Sequence, residues 1–420
     1  MSAPQLVVLA GGLGTRLRGV VDDVPKPMAP VNGRPFLEHV LRALARQGFE
    51  RVLLCVGYRA AQIEQHFGDG SRLGLSIRYA HEPADALLGT AGALRQAGAQ
   101  LEDRFVVING DTYLDADLAP LLAAPLSPAG ATLGLVSVPD VDRYGTVALD
   151  ARGRIVRFAE KGQRGPGLIN AGVYVMDRRA LEALEDGAPR SLERDLFPAL
   201  VTRGLLGGHV LEGEMTDIGT PESYARFQLR DLVDVSLSES ARVLAETARV
   251  CGRAITDAAA LLVAAYRAGG QSLWCGNGGS ASDAQHLVCE LVSKLNHERR
   301  ALPALALGTN LSIVTAIGND YAFDQVFARQ VDAHARPGDV LVAISTSGAS
   351  ASVLEAARRA HARGARVIGL TGRDGGALAA LCDVAVIVPS NSTQHIQEAH
   401  IAIGHVLCDA IERAAMGDAA

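Results

Sequence analysis

The sequence predicts an α/β chain built from two open, parallel sheets, one after the other, and three observations carry that expectation. Short, apolar, β-branched runs alternate with stretches of helical spacing, the pattern of a wound parallel sheet. Two of those runs, Leu6–Leu9 and Ser272–Cys275, end directly in glycine-rich turns. The length, 420 residues, exceeds one ordinary core, so two or three domains are expected.

The first strand runs into Gly11-Gly12-Leu13-Gly14-Thr15-Arg16, where missing side chains let backbone amides approach an anion. Arg16 and, after a bend bracketed by Pro25 and Pro27, Lys26 add two cations, which suits a triphosphate better than a neutral ligand. The spacing fits neither G-x-G-x-x-G nor G-x-x-x-x-G-K-[ST]. Arg34–Gln47 has helical spacing and stops at Gly48; Arg51–Val56 returns as a strand. Ala61–Phe67 reads as a short helix and Ser76–Tyr79 as a strand, and Gly89-Thr90-Ala91-Gly92, after Glu82-Pro83, opens another helix. Phe105–Asn109 is a buried strand that delivers Gly110-Asp111 at its carboxyl end, where open α/β sheets bind ligands. A lone aspartate there also serves as a helix cap, but Asp217, in Met215–Thr220, offers a second carboxylate for a divalent ion on a triphosphate. Asp115-Ala116-Asp117 reads as a solvated turn.

Leu229–Ser240 carries charge and few bulky residues, which places the junction there and gives domains 1–235 and 236–420. Glu239–Arg267 is an Ala-rich helical stretch ending at Gly269-Gly270. The strand Ser272–Cys275 then meets Gly276-Asn277-Gly278-Gly279-Ser280, and a helix begins near Ser280: a second anion site, without the cations of the first. Val340–Ile344 leads similarly into Ser345-Thr346-Ser347-Gly348-Ala349-Ser350 and the helix Ser352–Ala362, where hydroxyls and free amides suit a phosphate monoester. Strands Arg366–Thr371 and Val384–Val388 follow. His286 and Glu290, four apart, share one helix face; Gln397 and His405, eight apart on the last helix, align two turns later. Together these four would supply N and O ligands to Zn²⁺, with His400 competing for the place of His405.

Hydrophobic residues make up 48% and charged residues 20%, with a formal net charge of −6, which argues against a nucleic-acid surface. Six cysteines without a C-x-x-C pair read as reduced and mostly buried thiols. No apolar run reaches membrane-spanning length and the N-terminus lacks a signal-peptide pattern, so a cytoplasmic protein is expected.

GGLGTRL with Pro25-Lys26-Pro27 resembles the signature of sugar-1-phosphate nucleotidyltransferases, and Tyr144-Gly145, Glu160-Lys161 and Asn170-Ala171-Gly172 match further elements of that family in order. The resemblance covers about Pro4 to Arg230. With Asn109–Tyr113 and Ser191–Asp195 it is greatest to guanylyltransferases acting on D-glycero-α-D-manno-heptose 1-phosphate. It implies a Rossmann-like domain in which Gly11, Gly12, Gly14, Thr15, Glu82, Gly89 and Thr90 hold GTP, and Arg16 and Lys26 act in catalysis. Tyr144, Gly145, Glu160, Lys161 and Asn170 would bind the sugar phosphate, and Asp111 and Asp217 would hold Mg²⁺.

GNGGSA…ISTSGAS, with Asn319-Asp320-Tyr321, Leu370–Gly376 and Ile396–His400, resembles phosphoheptose isomerases of the sugar isomerase domain family from about Leu237 onward. This implies an α/β/α sandwich with a parallel sheet. Its substrate site would use Asn277, Gly278, Gly279, Ser280, Asp320, Ser345, Thr346, Ser347, Ser350 and Gln397. Zn²⁺ would sit on His286, Glu290, Gln397 and His405, with Glu290 as candidate base and His405 as candidate acid, and the isomerase domain would form a homotetramer. Gln394 and His395 depart from the pattern, His395 standing where many relatives have Arg.

The two resemblances together imply a bifunctional enzyme of nucleotide-activated heptose synthesis. It would isomerise sedoheptulose 7-phosphate and transfer GMP to heptose 1-phosphate, with a kinase and a phosphatase as separate proteins between the two steps. Two alternatives stay open: a mannose 1-phosphate guanylyltransferase fused to an isomerase of another sugar phosphate, and an isomerase half that senses sugar phosphate without turnover.

Overall fold

Gln5–Leu9 forms the first strand, and Leu6, Val7 and Val8 in it have no exposed surface. The computed structural model describes residues 3–12, 24–83, 88–142, 145–159, 164–184 and 189–417. There the strand lies inside a nine-stranded sheet, parallel to Arg51–Val56 on one side and Arg104–Asn109 on the other, with Ser76–His81 parallel beyond. Burial on both faces explains the unbroken apolar runs. Leu6, Val8, Leu54 and Val106 pack with Phe36, Leu37 and Leu41 of the helix Phe36–Arg46. Val7, Leu53, Phe105 and Val107 pack with Ala91 and Leu94 of the helix Gly89–Gln96. Because the four strands are parallel, the turns after Leu9, Val56, His81 and Asn109 share one edge of the sheet, the edge that holds ligands in open α/β folds.

Apart from Leu206–Val210, which runs parallel to Ala131–Val138, the rest of this sheet is antiparallel, which strand–helix alternation did not foretell. Gly167–Asp177 runs against Arg104–Asn109 and also against Ala131–Val138, with Thr146–Leu149 and Ile155–Ala159 farther out. A separate two-stranded ladder pairs Thr112–Ala116 with Gly213–Asp217 and sets Asp217 opposite Thr112. The helix expected from Arg34 starts at Phe36 instead. Arg34 precedes a proline and is pushed out of the helical region, and Arg34–Pro35 pairs with Pro30–Val31.

The chain divides into compact units 1–233 and 234–420. The helix expected from Glu239 begins at Pro221 and continues for 47 residues to Arg267. Residues 222–251 contain neither Gly nor Pro, so the charged, slender stretch read as a junction has nothing to interrupt helical hydrogen bonding. Pro221 starts the helix, where its missing N–H loses no bond.

The second unit is a five-stranded parallel sheet in the order Ala304–Ala306, Ser272–Gly276, Val340–Ser345, Arg366–Gly372, Val384–Val388. Trp274, Val342 and Ile368 on one face pack with Leu262, Leu287 and Leu407 of three helices, Pro221–Arg267, Gly279–Val292 and Thr393–Gly417. Leu273, Leu341 and Val367 on the other face pack with the helices Leu311–Asp320, Ala328–His334 and Ala351–Ala362. This is the expected α/β/α sandwich. All six cysteines are free thiols; Cys289 is exposed and Cys382 half-buried. Among the described residues, no helix is long and apolar enough to cross a membrane.

Candidate active sites

Lys26 lies in a single turn, Lys26–Met28, fixed by the prolines on either side of it. Its ammonium meets Asp111 at 2.6 Å and Asp217 at 2.9 Å. Asp111 occupies the turn after Arg104–Asn109, and Asp217 ends the strand that pairs with Thr112–Ala116. Burial by itself would lower the lysine pKa, but the two carboxylates outweigh it and hold the group above its ordinary value. Both carboxylates thus converge on one seated cation, and this donor pair fits a divalent ion.

A cavity of about 450 Å³ opens beside the cluster. Lys26, Asp111 and Asp217 line it, and so do Gly11, Gly12, Glu82, Gly89 and Thr90, all singled out from the sequence. Two glycines there are required by space. A Cβ on Gly11 would fall 2.3 Å from Glu82 Oε1, and one on Gly89, at φ +75°, would fall 2.4 Å from the Arg190 carbonyl oxygen. Glu82 accepts the Leu88 N–H at 2.9 Å, and burial raises its pKa. The helix start is fastened to the segment beyond: Ala91 N–H donates to the Arg190 carbonyl at 2.9 Å, and Leu192 N–H to Thr90 Oγ1 at 2.8 Å.

Asn170 donates to Tyr174 Oη at 3.0 Å and to Glu193 Oε1 at 3.1 Å, and accepts the Gly172 N–H at 2.9 Å. Tyr174 and Glu193 both line the cavity, and the sequence assigns neither a site role, although Glu193 falls in the stretch Ser191–Asp195. Burial, and next the Glu193 charge, push the Tyr174 phenol above its usual range. The signal was present in the alternation along Gly167–Asp177, which puts Asn170, Gly172 and Tyr174 on one face of the strand. Gly145 is not among the residues lining the cavity. Gly14, Thr15, Arg16, Tyr144, Glu160 and Lys161 lie outside the described residues. The stretch Asp115-Ala116-Asp117 is not the solvated turn expected: Asp115 and Ala116 end the strand Thr112–Ala116, Asp115 pairs with Arg230, which also reaches Glu214 at 3.5 Å, and Asp117 accepts the Ala119 N–H at 2.9 Å.

In the second unit, His286 Nε2 stands 2.9 Å from His405 Nε2 and 3.5 Å from Glu290 Oε1. The three residues offer ligand atoms within 4.8 Å of one another, a donor set that fits Zn²⁺. Gln397, two turns before His405, lies against Gly279, where a Cβ would come within 2.6 Å of Gln397 Nε2. His400 is excluded by its surroundings. It is fully buried, its Nε2 lies 3.0 Å from the Thr371 carbonyl oxygen, and burial lowers its pKa to about 4. Asp283, one turn before His286, was missed from the sequence. Its Oδ2 is buried without a partner among the described residues, and burial raises its pKa against the opposing effect of His286.

Helices Gly279–Val292 and Ala351–Ala362 start at the carboxyl ends of adjacent parallel strands, so their free first-turn N–H groups face one region. Asn277 Nδ2 joins the two turns by donating to Ser350 Oγ at 2.7 Å and Ser352 Oγ at 2.9 Å. Gly278, at φ +57°, makes the bend into the first helix; Ser280 and Ser345 are buried, and Thr346 and Ser347 half-buried. Asp320 ends its helix exposed, with Asn319 Nδ2 at 2.8 Å, and bonds there rather than to the two turns. His395 Nδ1 lies 3.1 Å from Glu398 Oε2 and 3.2 Å from Ser240 Oγ, and Gln394 donates to Glu398 at 3.2 Å. These two departures from the family pattern fasten the start of the last helix.

Residues 5–233 match the family of nucleotidyl transferases and residues 237–372 match the SIS domain. The phosphoheptose isomerase of Rhodospirillum rubrum is 56% identical over 164 residues, 39% of this chain and 87% of that protein. The phosphoheptose isomerase of Trichlorobacter lovleyi is 45% identical over 196 residues, 47% of this chain and 96% of its own length. The crystal structure of HddC from Yersinia pseudotuberculosis is 33% identical, covers 54% of this chain and 99% of that one, and superposes with a TM-score of 0.50. The chain belongs to the nucleotidyl transferase family through its first unit and to the phosphoheptose isomerases through its second, an SIS domain, and is an enzyme with transferase and isomerase activities.

Proposed function

We propose that the isomerase unit converts sedoheptulose 7-phosphate to D-glycero-D-manno-heptose 7-phosphate, and that the transferase unit joins GMP from GTP to D-glycero-α-D-manno-heptose 1-phosphate. The observation that carries this reading is the presence on one chain of two different clusters: Lys26–Asp111–Asp217 beside a cavity of about 450 Å³, and His286–Glu290–His405, of which His286 and Glu290 lie on a helix that starts at a serine- and glycine-lined turn and His405 on the last helix. Heptose as acceptor is supported by the phosphoheptose isomerase relatives of the second unit, and guanine by the resemblance of the first.

In the transferase unit, an oxygen of the sugar 1-phosphate attacks the α-phosphorus of GTP in line. The bond from that phosphorus to the bridging oxygen breaks, and pyrophosphate leaves. Gly11, Gly12, Gly14 and Thr15 bring backbone amides to the phosphates, and Glu82, Gly89 and Thr90 hold the nucleoside. Lys26 and Arg16 offset the negative charge that gathers on the phosphates. Tyr144, Gly145, Glu160 and Asn170 orient the sugar and Lys161 meets its phosphate. Asp111 and Asp217 would hold Mg²⁺, which supplies further positive charge on the triphosphate.

In the isomerase unit, Glu290 takes the proton from C1 of the ketose and returns it to C2 of the enediol, while His405 carries a proton between the two oxygens. Asn277, Gly278, Gly279, Ser280, Ser345, Thr346, Ser347 and Ser350 seat the phosphate, with Asp320 on the sugar. His286, Glu290, Gln397 and His405 would hold Zn²⁺, which polarises the carbonyl when bound. The protein works in the cytoplasm as a homotetramer assembled through the isomerase unit; the exposed Val235, Leu237 and Val250 on the long helix support burial against another copy. A separate kinase and a separate phosphatase turn the 7-phosphate into the 1-phosphate.

The test is a matrix of sugar 1-phosphates against the four ribonucleoside triphosphates, read by pyrophosphate release, with sedoheptulose 7-phosphate turnover followed by NMR. Highest release is expected with the heptose and GTP, together with aldose formation. If mannose 1-phosphate outcompetes the heptose, the acceptor is misassigned; if the ketose binds without turnover, the second unit is a sensor.

A further inference from the structure

We propose that Lys26 is the resident cation of the empty transferase site, and that a divalent ion takes the two carboxylates only when a triphosphate draws Lys26 off them. The inference rests on the nucleotidyl-transfer reading of this site and adds an order of events to it: the metal enters with the nucleotide.

The geometry is that of an occupied cation site. The Lys26 ammonium touches one oxygen of Asp111 at 2.6 Å and one of Asp217 at 2.9 Å, and its side chain is only 11% exposed. Divalent ions bind carboxylate oxygens at roughly 2.0–2.6 Å. An ion on these same two oxygens would therefore lie within a few ångströms of the ammonium, where two like charges in a partly desolvated pocket repel strongly. The two cations exclude each other.

The lysine also has somewhere to go. Its backbone is held by Pro25 at φ −64° and by Pro27, so the freedom lies in the four-carbon side chain. Lys26 and both carboxylates line one cavity, and Gly11 and Gly12 line it too, so a triphosphate seated on those amides comes within the lysine's reach. Until then Lys26 keeps two neighbouring carboxylates from repelling each other. The coupling makes free metal a poor ligand of the empty site and a good one once phosphate oxygens compete for the lysine.

The test uses the full-length chain carrying His286→Ala, so that the other metal cluster does not contribute, and follows free Mn²⁺ by electron paramagnetic resonance. Lys26→Met should raise affinity for Mn²⁺ without nucleotide by about tenfold or more, the range of a typical coupling between sites. Adding Asp111→Asn should erase the gain. Equal or weaker binding in Lys26→Met, or a gain that survives Asp111→Asn, would overturn the proposal. A second measurement needs no change at Lys26: Mn²⁺ should bind tightly only with a non-hydrolysable GTP analogue present, beyond what the analogue binds alone, and equal affinity with and without it would contradict the exchange. Pyrophosphate release by the unsubstituted protein, assayed alongside, separates the two ideas. Release without the Mn²⁺ gain rejects the exchange alone; the gain without release rejects nucleotidyl transfer and leaves the exchange standing.

Discussion

In the transferase unit a lysine and two carboxylates close on one another, whereas in the isomerase unit two imidazoles and a carboxylate stand together. The first cluster is assembled from a turn, a strand end and the end of a two-stranded ladder, and its lysine is 11% exposed. The second is assembled from two helices, and the His286 side chain is 50% exposed. A site that carries its own cation is stable when empty and must be opened by its substrate. Two imidazole nitrogens beside one carboxylate make a donor set suited to keep a metal.

Metal removal should separate the two centres most sharply. Dialysis against a zinc chelator should reduce isomerisation by about a hundredfold or more, the scale expected when a polarising ion is lost. Nucleotidyl transfer, assayed afterwards with excess Mg²⁺, should be unchanged. Equal sensitivity of both activities would erase the contrast.

A smaller effect is expected at Gly11. In Gly11→Ala the new methyl falls on Glu82 Oε1 at 2.3 Å, so Glu82 must swing away from the Leu88 N–H that it accepts at 2.9 Å. KM for the triphosphate should rise about tenfold, the consequence of losing roughly 1.4 kcal/mol of binding, with isomerisation kinetics unchanged. An unaltered KM would show that Glu82 does not set the nucleotide site.

The smallest effect concerns His400, the histidine that competes with His405 on spacing alone. Burial favours its neutral form, with a folded pKa of about 4 against 6.5 for the free side chain. The unfolded chain therefore binds the extra proton first, and stability present above about pH 6.5 is lost as the pH falls toward 4. Between pH 7 and pH 5 the loss from this residue is about 2 kcal/mol at 1.36 kcal/mol per pKa unit. Urea unfolding of the isomerase unit should show it, and His400→Gln, which keeps a donor for the Thr371 carbonyl, should flatten that slope.

Local chemistry was legible in the sequence wherever a strand ended in a marked turn. Leu6–Leu9 and Ser272–Cys275 are the strands that feed glycine turns, and Asp111 follows Arg104–Asn109 because apolar runs reveal buried parallel strands and their carboxyl ends. Helical spacing reports the shared face of His286 and Glu290, whereas His405 stands out from His400 only through the family resemblance. What the sequence hid was long-range pairing. Antiparallel Gly167–Asp177 reads no differently from a parallel strand until its partners are known, and Glu193 lines the cavity and bonds Asn170 from 23 residues away in the chain. Composition marks 229–240 as a boundary but says nothing of its backbone, which is helical because no glycine or proline lies there to interrupt it.

The central claim is that two independent centres of different construction act on sugar phosphates in one chain, and crossed substitutions test it most directly. Lys26→Ala and His286→Ala are each assayed for pyrophosphate release from GTP with heptose 1-phosphate and for aldose formation from sedoheptulose 7-phosphate. Lys26→Ala should abolish release and leave isomerisation intact, and His286→Ala should do the reverse. Loss of both activities in either variant would contradict the independence of the two centres.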